Sequence, residues 1–323
     1  MNRSACLIFN PIAGQGDPDT ELAEIRAILE PDIDLDIYFT TEEIDADQLA
    51  YQALERGVEA IIASGGDGTL SIAAAAIVGT DIPFGIISRG TANAFATALG
   101  IPDTIAGACN TILQGATTHV DVAYCNDRPM VLLAGIGFEA ETVELADRNA
   151  KNRFGMMAYV LAGIQQLRNL KSFDVEIETE DRIIKTSASA VTVANAAPPT
   201  SVLAQGPAGL IYDDGLLDLT IVAPTNKAGA IAATFHLFQT ASTGNAVERD
   251  DIGFLRAKQF KITTEPSQKV VIDGEIVGTT PVEIKCVPAG LRIFVPLIEE
   301  VEPTEKLEGL PNLIIEMKDK AGE

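Results

Sequence analysis

The stretch Ala60-Ile61-Ile62-Ala63-Ser64-Gly65-Gly66-Asp67-Gly68-Thr69-Leu70 decides how the rest of the chain is read. Its first four residues are uninterrupted apolar side chains, and an alanine-rich helical pattern runs from about Thr69 to Val78. A short apolar run with no polar face predicts a strand buried on both sides, the kind used by parallel sheets. Glycines at such a strand-to-helix turn let backbone N–H groups approach an anion, and the helix that begins there adds the positive end of its dipole. A carboxylate in that turn repels a polyphosphate unless a cation bridges them, so Asp67 points to magnesium. Gly-Asp-Gly by itself is an ordinary turn; the whole block behind a buried strand carries the phosphate reading.

On both sides of this block the first 118 residues repeat the same alternation. Strands are expected at Ala5–Phe9, Leu35–Phe39, Ala60–Ala63 and Phe84–Ile87. Helices are expected at Glu21–Leu29, Asp45–Leu54 (with Gly57 just past its end), Thr69–Val78, from Asn93 to Gly100, and from Pro102-Asp103 to about Leu113. This order calls for a doubly wound, parallel, Rossmann-like α/β sheet. Ligands gather at the carboxyl ends of such strands, so the turns Asn10–Gly14, Gly65–Thr69 and Gly90–Asn93, with Thr40, should share one sheet edge. Asn10-Pro11 alone would be a plain turn, and Asn93 alone a helix cap.

The second half reads as β structure. Strands are expected at Val120–Tyr124, Met130–Ala134, Phe173–Glu178, Ile183–Ala194, Leu217–Val222, Gln259–Thr263, Lys269–Ile272, Ile276–Ile284 and Leu291–Val295. Helices interrupt at 153–167 and 227–241. Alternating β-branched segments with tight turns indicate an antiparallel sheet or sandwich. The reading therefore divides the chain into an α/β domain (1–118), a β domain (119–300) and a charged tail (301–323) that packs back on the first domain or stays mobile.

Composition narrows the function classes. The net charge of −23 argues against nucleic acid and against a polybasic membrane anchor. An acidic chain can still handle ATP if magnesium and backbone amides supply positive potential locally. Cys6, Cys109, Cys125 and Cys286 have no spacing suited to zinc or a disulfide scaffold, and His119 and His236 stand alone. Met1–Asn10 suits a first strand better than a signal peptide, and no run of about eighteen apolar residues spans a membrane. A cytoplasmic protein with transient membrane contact is expected.

GGDGTL, with NPIAG before it and GTANAFATALGIP after it, resembles the diacylglycerol kinase catalytic domain in its bacterial soluble lipid-kinase branch. The likeness continues in order through LLAGIGFEAE (132–141), VTVAN (191–195), YDDGLLDLTIV (212–222) and VIDGE (271–275), nearly the whole chain. The resemblance implies a second domain that is a β-sandwich and an active site in the cleft between the domains. It implies an ATP site lined by Asn10, Pro11, Ile12, Ala13, Gly14, Thr40, Gly66, Asp67, Gly68, Thr69, Leu70, Ser71, Ile72 and Thr91, with Asn93 from the same turn. It makes Glu275 the general base, and it implies a further Mg2+ site from the Asp214 carboxylate and the Ile211 and Leu216 carbonyls.

The sequence departs from that pattern at Gln15, where many relatives have lysine, at Ser71-Ile72 for Asn-Glu, and at Ala94 for aspartate. Related sphingosine kinases share the alanine, and we read the changes as pointing to a different lipid or an altered metal geometry. Arg148–Lys171 is locally basic with an apolar stripe. It reads first as an amphipathic helix packed on the β domain, and secondly as a guide to membrane headgroups, with Lys171 a phosphate partner. The expected activity is transfer of the ATP γ-phosphate to a lipid hydroxyl, diacylglycerol-like, at a membrane surface, with room for a homodimer. NAD kinase, which shares GGDGT, and a non-catalytic lipid- or nucleotide-binding relative are the alternatives. A redox Rossmann enzyme is disfavoured because no G-x-G-x-x-G follows the first strand.

Overall fold

The computed structural model describes residues 3–137, 172–197, 210–224, 249–296, 307, 309 and 311–317. The helices expected at 153–167 and 227–241, and the basic segment with Lys171, lie outside the described residues. The chain divides into two compact units, Met1–Val122 with Pro288–Glu299, and Ala123–Val287 with Glu300–Glu323.

In the first unit strands and helices alternate: β1 (Arg3–Phe9), α1 (Pro18–Leu29), β2 (Ile33–Phe39), α2 (Ala46–Arg56), β3 (Ala60–Gly65), α3 (Asp67–Ala76), β4 (Phe84–Ser88), α4 (Ala94–Ala98) and α5 (Ile105–Gln114). The sheet is parallel in the order β2-β1-β3-β4. Every residue of β3 and β4 is buried, as their unbroken apolar sequence requires, whereas β2, with neighbour β1 alone, alternates in burial. Local signals fix the helix ends. The Asp17 and Thr104 side chains accept from the N–H groups of Thr20 and Gly107, and Gly57 and Gly115 close α2 and α5 in the left-handed conformation.

The second unit is antiparallel. The remaining strands are β5 (Thr117–Cys125), β6 (Arg128–Met130), β7 (Leu133–Gly137), β8 (Phe173–Glu178), β9 (Arg182–Ala188), β10 (Ala190–Ala194), β11 (Leu217–Val222), β12 (Ile252–Ala257), β13 (Gln259–Glu265), β14 (Lys269–Ile272), β15 (Glu275–Thr279), β16 (Val282–Phe294) and β17 (Ile314–Met317); β5 as far as Val122 and β16 from Pro288 lie in the first unit, the others in the second. One sheet runs β17-β9-β8-β13-β16, with β5 on β16 and β6 on β5, and the far end of β16 continues it onto β4 of the parallel strands; the other runs β12-β11-β10-β7-β14-β15. Ile177, Ile184, Phe260 and Ile284 of the first sheet share one buried cluster with Ile136, Val191, Leu219 and Leu255 of the second. Two sheets burying one face each against a common core make a β-sandwich. Fully burying each such side chain is worth about 1.5–3 kcal/mol.

The structure redraws several expected elements. The run 183–194 is two strands in two sheets: β9 pairs with β8, β10 pairs with β7 and β11, and Ser189 between them donates its N–H to Val222 O. Met130–Ala134 splits into β6 and β7 at Val131-Leu132, and Ile276–Ile284 splits at Thr280-Pro281, where proline has no N–H for a ladder. Leu291–Val295 is instead the end of the long strand β16, and its Ile293 lies opposite Phe84 of β4 inside the first unit. The expected 118 and 300 boundaries therefore differ from the compact units. β12 and β17 were not foreseen. β17 pairs with β9, from Ile314 opposite Lys185 to Met317 opposite Arg182, so this part of the tail belongs to the second unit and not to the first.

Candidate active site

At the carboxyl edge of the first unit's sheet, backbone hydrogen bonds tie the strand ends together. Thr40 N donates to Phe9 O (3.0 Å), Asn10 N to Ser64 O (2.9 Å) and Arg89 N to Gly65 O (2.7 Å). These bonds bring the turns 10–14, 65–69 and 90–93, with Thr40, to one edge, as the parallel topology anticipates. Asn10 links two of them: its Nδ2 donates to Thr69 Oγ1 (2.8 Å), while its Oδ1 accepts from Ile12 N (3.1 Å). Ile12 is left 91% exposed.

Gly65 and Gly90 are steric necessities at this edge, whereas a Cβ on Gly66 or Gly68 would find room. A Cβ on Gly90 would lie 3.0 Å from Gly66 Cα and 3.0 Å from Asn93 Oδ1, so two turns touch through backbone alone. A Cβ on Gly65 would lie 2.7 Å from the Thr69 side chain. Gly66 is the N-cap of α3 and Asp67 its first residue, where a negative charge meets the positive end of the helix. Leu70 is buried in α3; Pro11, Ala13, Ser71 and Ile72 are half-buried, and Gly14, Gly68 and Thr91 are exposed.

Asp67 has a second use that the sequence did not show. Its Oδ1 accepts from Phe95 N (3.1 Å) at the start of α4. Burial raises its pKa, and the backbone N–H groups of residues 93–95 oppose that rise. Asn93 adopts the left-handed conformation (φ 49°), and its buried Oδ1 has no hydrogen-bond partner. A partly desolvated carboxylate and an unpartnered amide oxygen on adjoining turns are oxygen donors suited to a hard divalent cation.

Sequence reasoning passed over Arg89. Its side chain is 1% exposed, lies over the Phe9 ring (3.9 Å to the centroid) and pairs with Glu21. It also donates to Ser64 Oγ (2.9 Å), Ala13 O (3.2 Å) and Asn10 O. The available signal was a charged residue directly after the buried run FGIIS.

In the second unit, Asp273 and Gly274 form the two-residue turn between β14 and β15, both at positive φ (48° and 89°). Asp273 accepts from Val131 N (2.9 Å), Leu132 N (3.0 Å) and Leu133 N (2.9 Å), the N–H groups at the break between β6 and β7. Glu275 follows as the first residue of β15, opposite Ile272, with its side chain exposed. The anchored aspartate thus fixes the hairpin tip that presents the glutamate.

The turn Asp213–Leu216 is closed by the chain itself. Asp214 Oδ1 accepts from Leu216 N (3.0 Å), and its Oδ2 takes the Arg256 guanidinium. Arg256 Nε also lies 3.1 Å from Asp218 Oδ1. Among the described residues no group of three or more His, Cys, Asp or Glu could hold a metal. In the set Ile211, Asp214 and Leu216, both carboxylate oxygens of Asp214 are thus engaged by the protein's own N–H groups.

A parallel α/β unit followed by a β-sandwich is the fold class of the diacylglycerol kinases. The chain belongs to that family: residues 4–125 match the diacylglycerol kinase catalytic domain, and residues 133–295 match the YegS C-terminal NAD kinase beta sandwich-like domain. It is 50% identical to the uncharacterized Synechocystis protein sll0036, covering 90% of this chain and 70% of that one. It is 30% identical to a diacylglycerol kinase of Staphylococcus epidermidis, covering 92% and 93%. The crystal structure of a diacylglycerol kinase from Bacillus anthracis superposes with a TM-score of 0.71 at 25% identity, covering 91% of this chain and 97% of that one.

Proposed function

We propose that this protein transfers the γ-phosphate of ATP to a lipid hydroxyl, with a diacylglycerol-like alcohol as the first candidate. The observation that supports it most is the junction of three turns at one sheet edge, where Gly66 and Gly90 meet through backbone and Asp67 and Asn93 offer oxygens. The turn amides and the N-terminus of α3 receive the phosphates. Asp67 and Asn93 would hold a divalent cation, which when bound offsets the charge of the phosphoryl oxygens. Glu275 takes the proton of the acceptor hydroxyl as its oxygen bonds to the γ-phosphorus, and the bond to the β,γ-bridging oxygen breaks to release ADP. The family supports a lipid acceptor, and Glu275 is an exposed carboxylate on a fixed hairpin tip.

The test is incubation with Mg-ATP and a panel of lipid alcohols, with NAD as control. Phosphorylated lipid is expected, falling at least about a hundredfold in Glu275→Gln, the usual scale of a lost general base, and similarly in Asp67→Ala. Phosphorylated NAD in place of lipid would overturn this reading. ATP binding with no product from any lipid would leave a non-catalytic relative.

A further inference from the structure

We propose that Arg89 is the positioning residue of the nucleotide site, a buried clamp that pre-forms the Asn10–Gly14 turn and thereby sets affinity for ATP. The proposal rests on the reading of that turn as nucleotide-binding.

The argument begins with geometry. A guanidinium has five N–H donors in a rigid fork. Here the fork reaches two carbonyls of one turn, Asn10 O and Ala13 O, while its base is held by Ser64 Oγ at the end of β3 and its face lies on Phe9 at the end of β1. Glu21 of α1 takes the charge. One side chain therefore joins β1, the turn after it, α1, β3 and the end of β4, across sequence separations of 25 to 80 residues.

The effect on the turn follows from peptide planarity. In a trans peptide the N–H points opposite to the C=O. With the Ala13 carbonyl drawn onto the buried guanidinium, the Gly14 N–H is turned away from it. Gly14 itself sits at φ +92°, and a Cβ there would lie 2.9 Å from the Arg89 carbonyl oxygen, so Arg89 shapes the turn through backbone as well as side chain. The turn Asn10-Pro11-Ile12-Ala13-Gly14, with Ile12 left 91% exposed, has little packing of its own to hold such an orientation. Preorganisation of this kind acts on binding by lowering the ordering cost when the ligand arrives. Since the guanidinium is buried and engaged with protein oxygens, Arg89 acts through the turn, not as a phosphate ligand.

The experiment compares wild type, Arg89→Lys and Glu21→Gln by amide hydrogen exchange, by ATP binding in calorimetry and by steady-state kinetics. Lysine keeps the charge and loses the fork; Glu21→Gln loosens the clamp from a partly exposed partner and covers the case that Arg89→Lys does not fold. Exchange in the peptide spanning residues 10–16 is expected to rise about tenfold in Arg89→Lys, with exchange in α2 unchanged. The Kd and KM for ATP are expected to rise about tenfold, and kcat at saturating ATP to stay within about twofold. Glu21→Gln should shift the same quantities in the same direction by less. Wild-type exchange in 10–16 for both variants would overturn the proposal. Faster exchange with unchanged ATP affinity, or a fall in kcat with KM unchanged, would overturn it as well. Wild-type protein that binds no ATP would sink the kinase reading and the nucleotide half of this one, while the exchange arm still judges the clamp.

Discussion

At the residue scale, three acidic side chains show how differently the fold uses a carboxylate. Asp67 is partly desolvated at a turn junction, Asp273 collects three backbone N–H groups, and Asp218 is buried on β11 with its Oδ2 lacking a hydrogen-bond partner. Burial pushes Asp218 up to about 7, with Arg256 pulling it down and Asp214 pushing it up. In the unfolded chain the group ionises near 4. Between about pH 4 and 7 the folded protein therefore holds a proton that the unfolded chain has released. That contribution to stability is complete at low pH and is lost as pH rises through about 7. Asp218→Asn, which mimics the protonated form, is expected to be more stable than wild type at pH 8, by about 2–4 kcal/mol from a shift of this size. The gap should narrow toward pH 5, and denaturant midpoints across that range would show it; equal midpoints at pH 8 would mean the charge is compensated. Asp273→Ala works in the other direction. It leaves three N–H groups without their acceptor and places a β-carbon side chain with no polar group at positive φ, so a loss of about 2–4 kcal/mol is expected in the same assay.

At the element scale, sequence pattern and tertiary context part company in an instructive way. β3 and β4 were legible because burial on both faces forces an apolar run, and the helices of the first unit were legible from their apolar spacing, with Gly57 marking the end of α2. The break between β9 and β10 was not, because Ser189 is no breaker; what ends one strand and starts the next is that their partners lie in different sheets. β12 was missed although Ile252-Gly253-Phe254-Leu255 is as apolar as Phe84-Gly85-Ile86-Ile87 of β4, because it lacks the regular strand–helix alternation that marks β4 as a strand. The site divides in the same way. Turns 10–14, 65–69 and 90–93 were legible because glycines mark them, but the partners of Asp67 and Arg89 are 25 to 79 residues away and leave no local trace. Asp214 was legible as a turn residue, and Arg256, 42 positions later, was not legible as its partner. The contact of two turns gives a prediction of its own. Gly90→Ala must move the 90–93 turn by a few tenths of an ångström from Gly66, because the facing atom is backbone. Activity should fall about tenfold or more, as misplacement of this order does in a positioned site, while the melting temperature shifts by only a few degrees. A variant with wild-type KM for ATP would show that the turns have room to spare.

At the scale of the whole molecule, the charge of −23 sets how a lipid kinase of this composition can meet its substrate. Among the described residues no helix is long and apolar enough to cross a bilayer. Biological anionic membranes carry a surface potential of about −30 mV, which attracts basic segments and repels a chain with twice as many acidic as basic residues. Repulsion of this kind is long-ranged only at low ionic strength; the screening length falls from about 30 Å at 0.01 M salt to about 8 Å at 0.15 M. Two consequences follow for vesicles carrying a diacylglycerol. With a zwitterionic matrix, activity should depend little on salt. With a matrix rich in phosphatidylglycerol, activity should be low at about 0.01 M salt and rise several-fold toward 0.15 M, the reverse of the response of a protein anchored by a basic patch. Since screening acts on encounter with the surface, the change should lie in the apparent KM for lipid and not in the KM for ATP. If activity on anionic vesicles instead falls as salt is added, a local basic surface outweighs the net charge, and glutamine substitutions of Arg148, Lys151, Arg153, Arg168 and Lys171 would then test whether it lies in that segment.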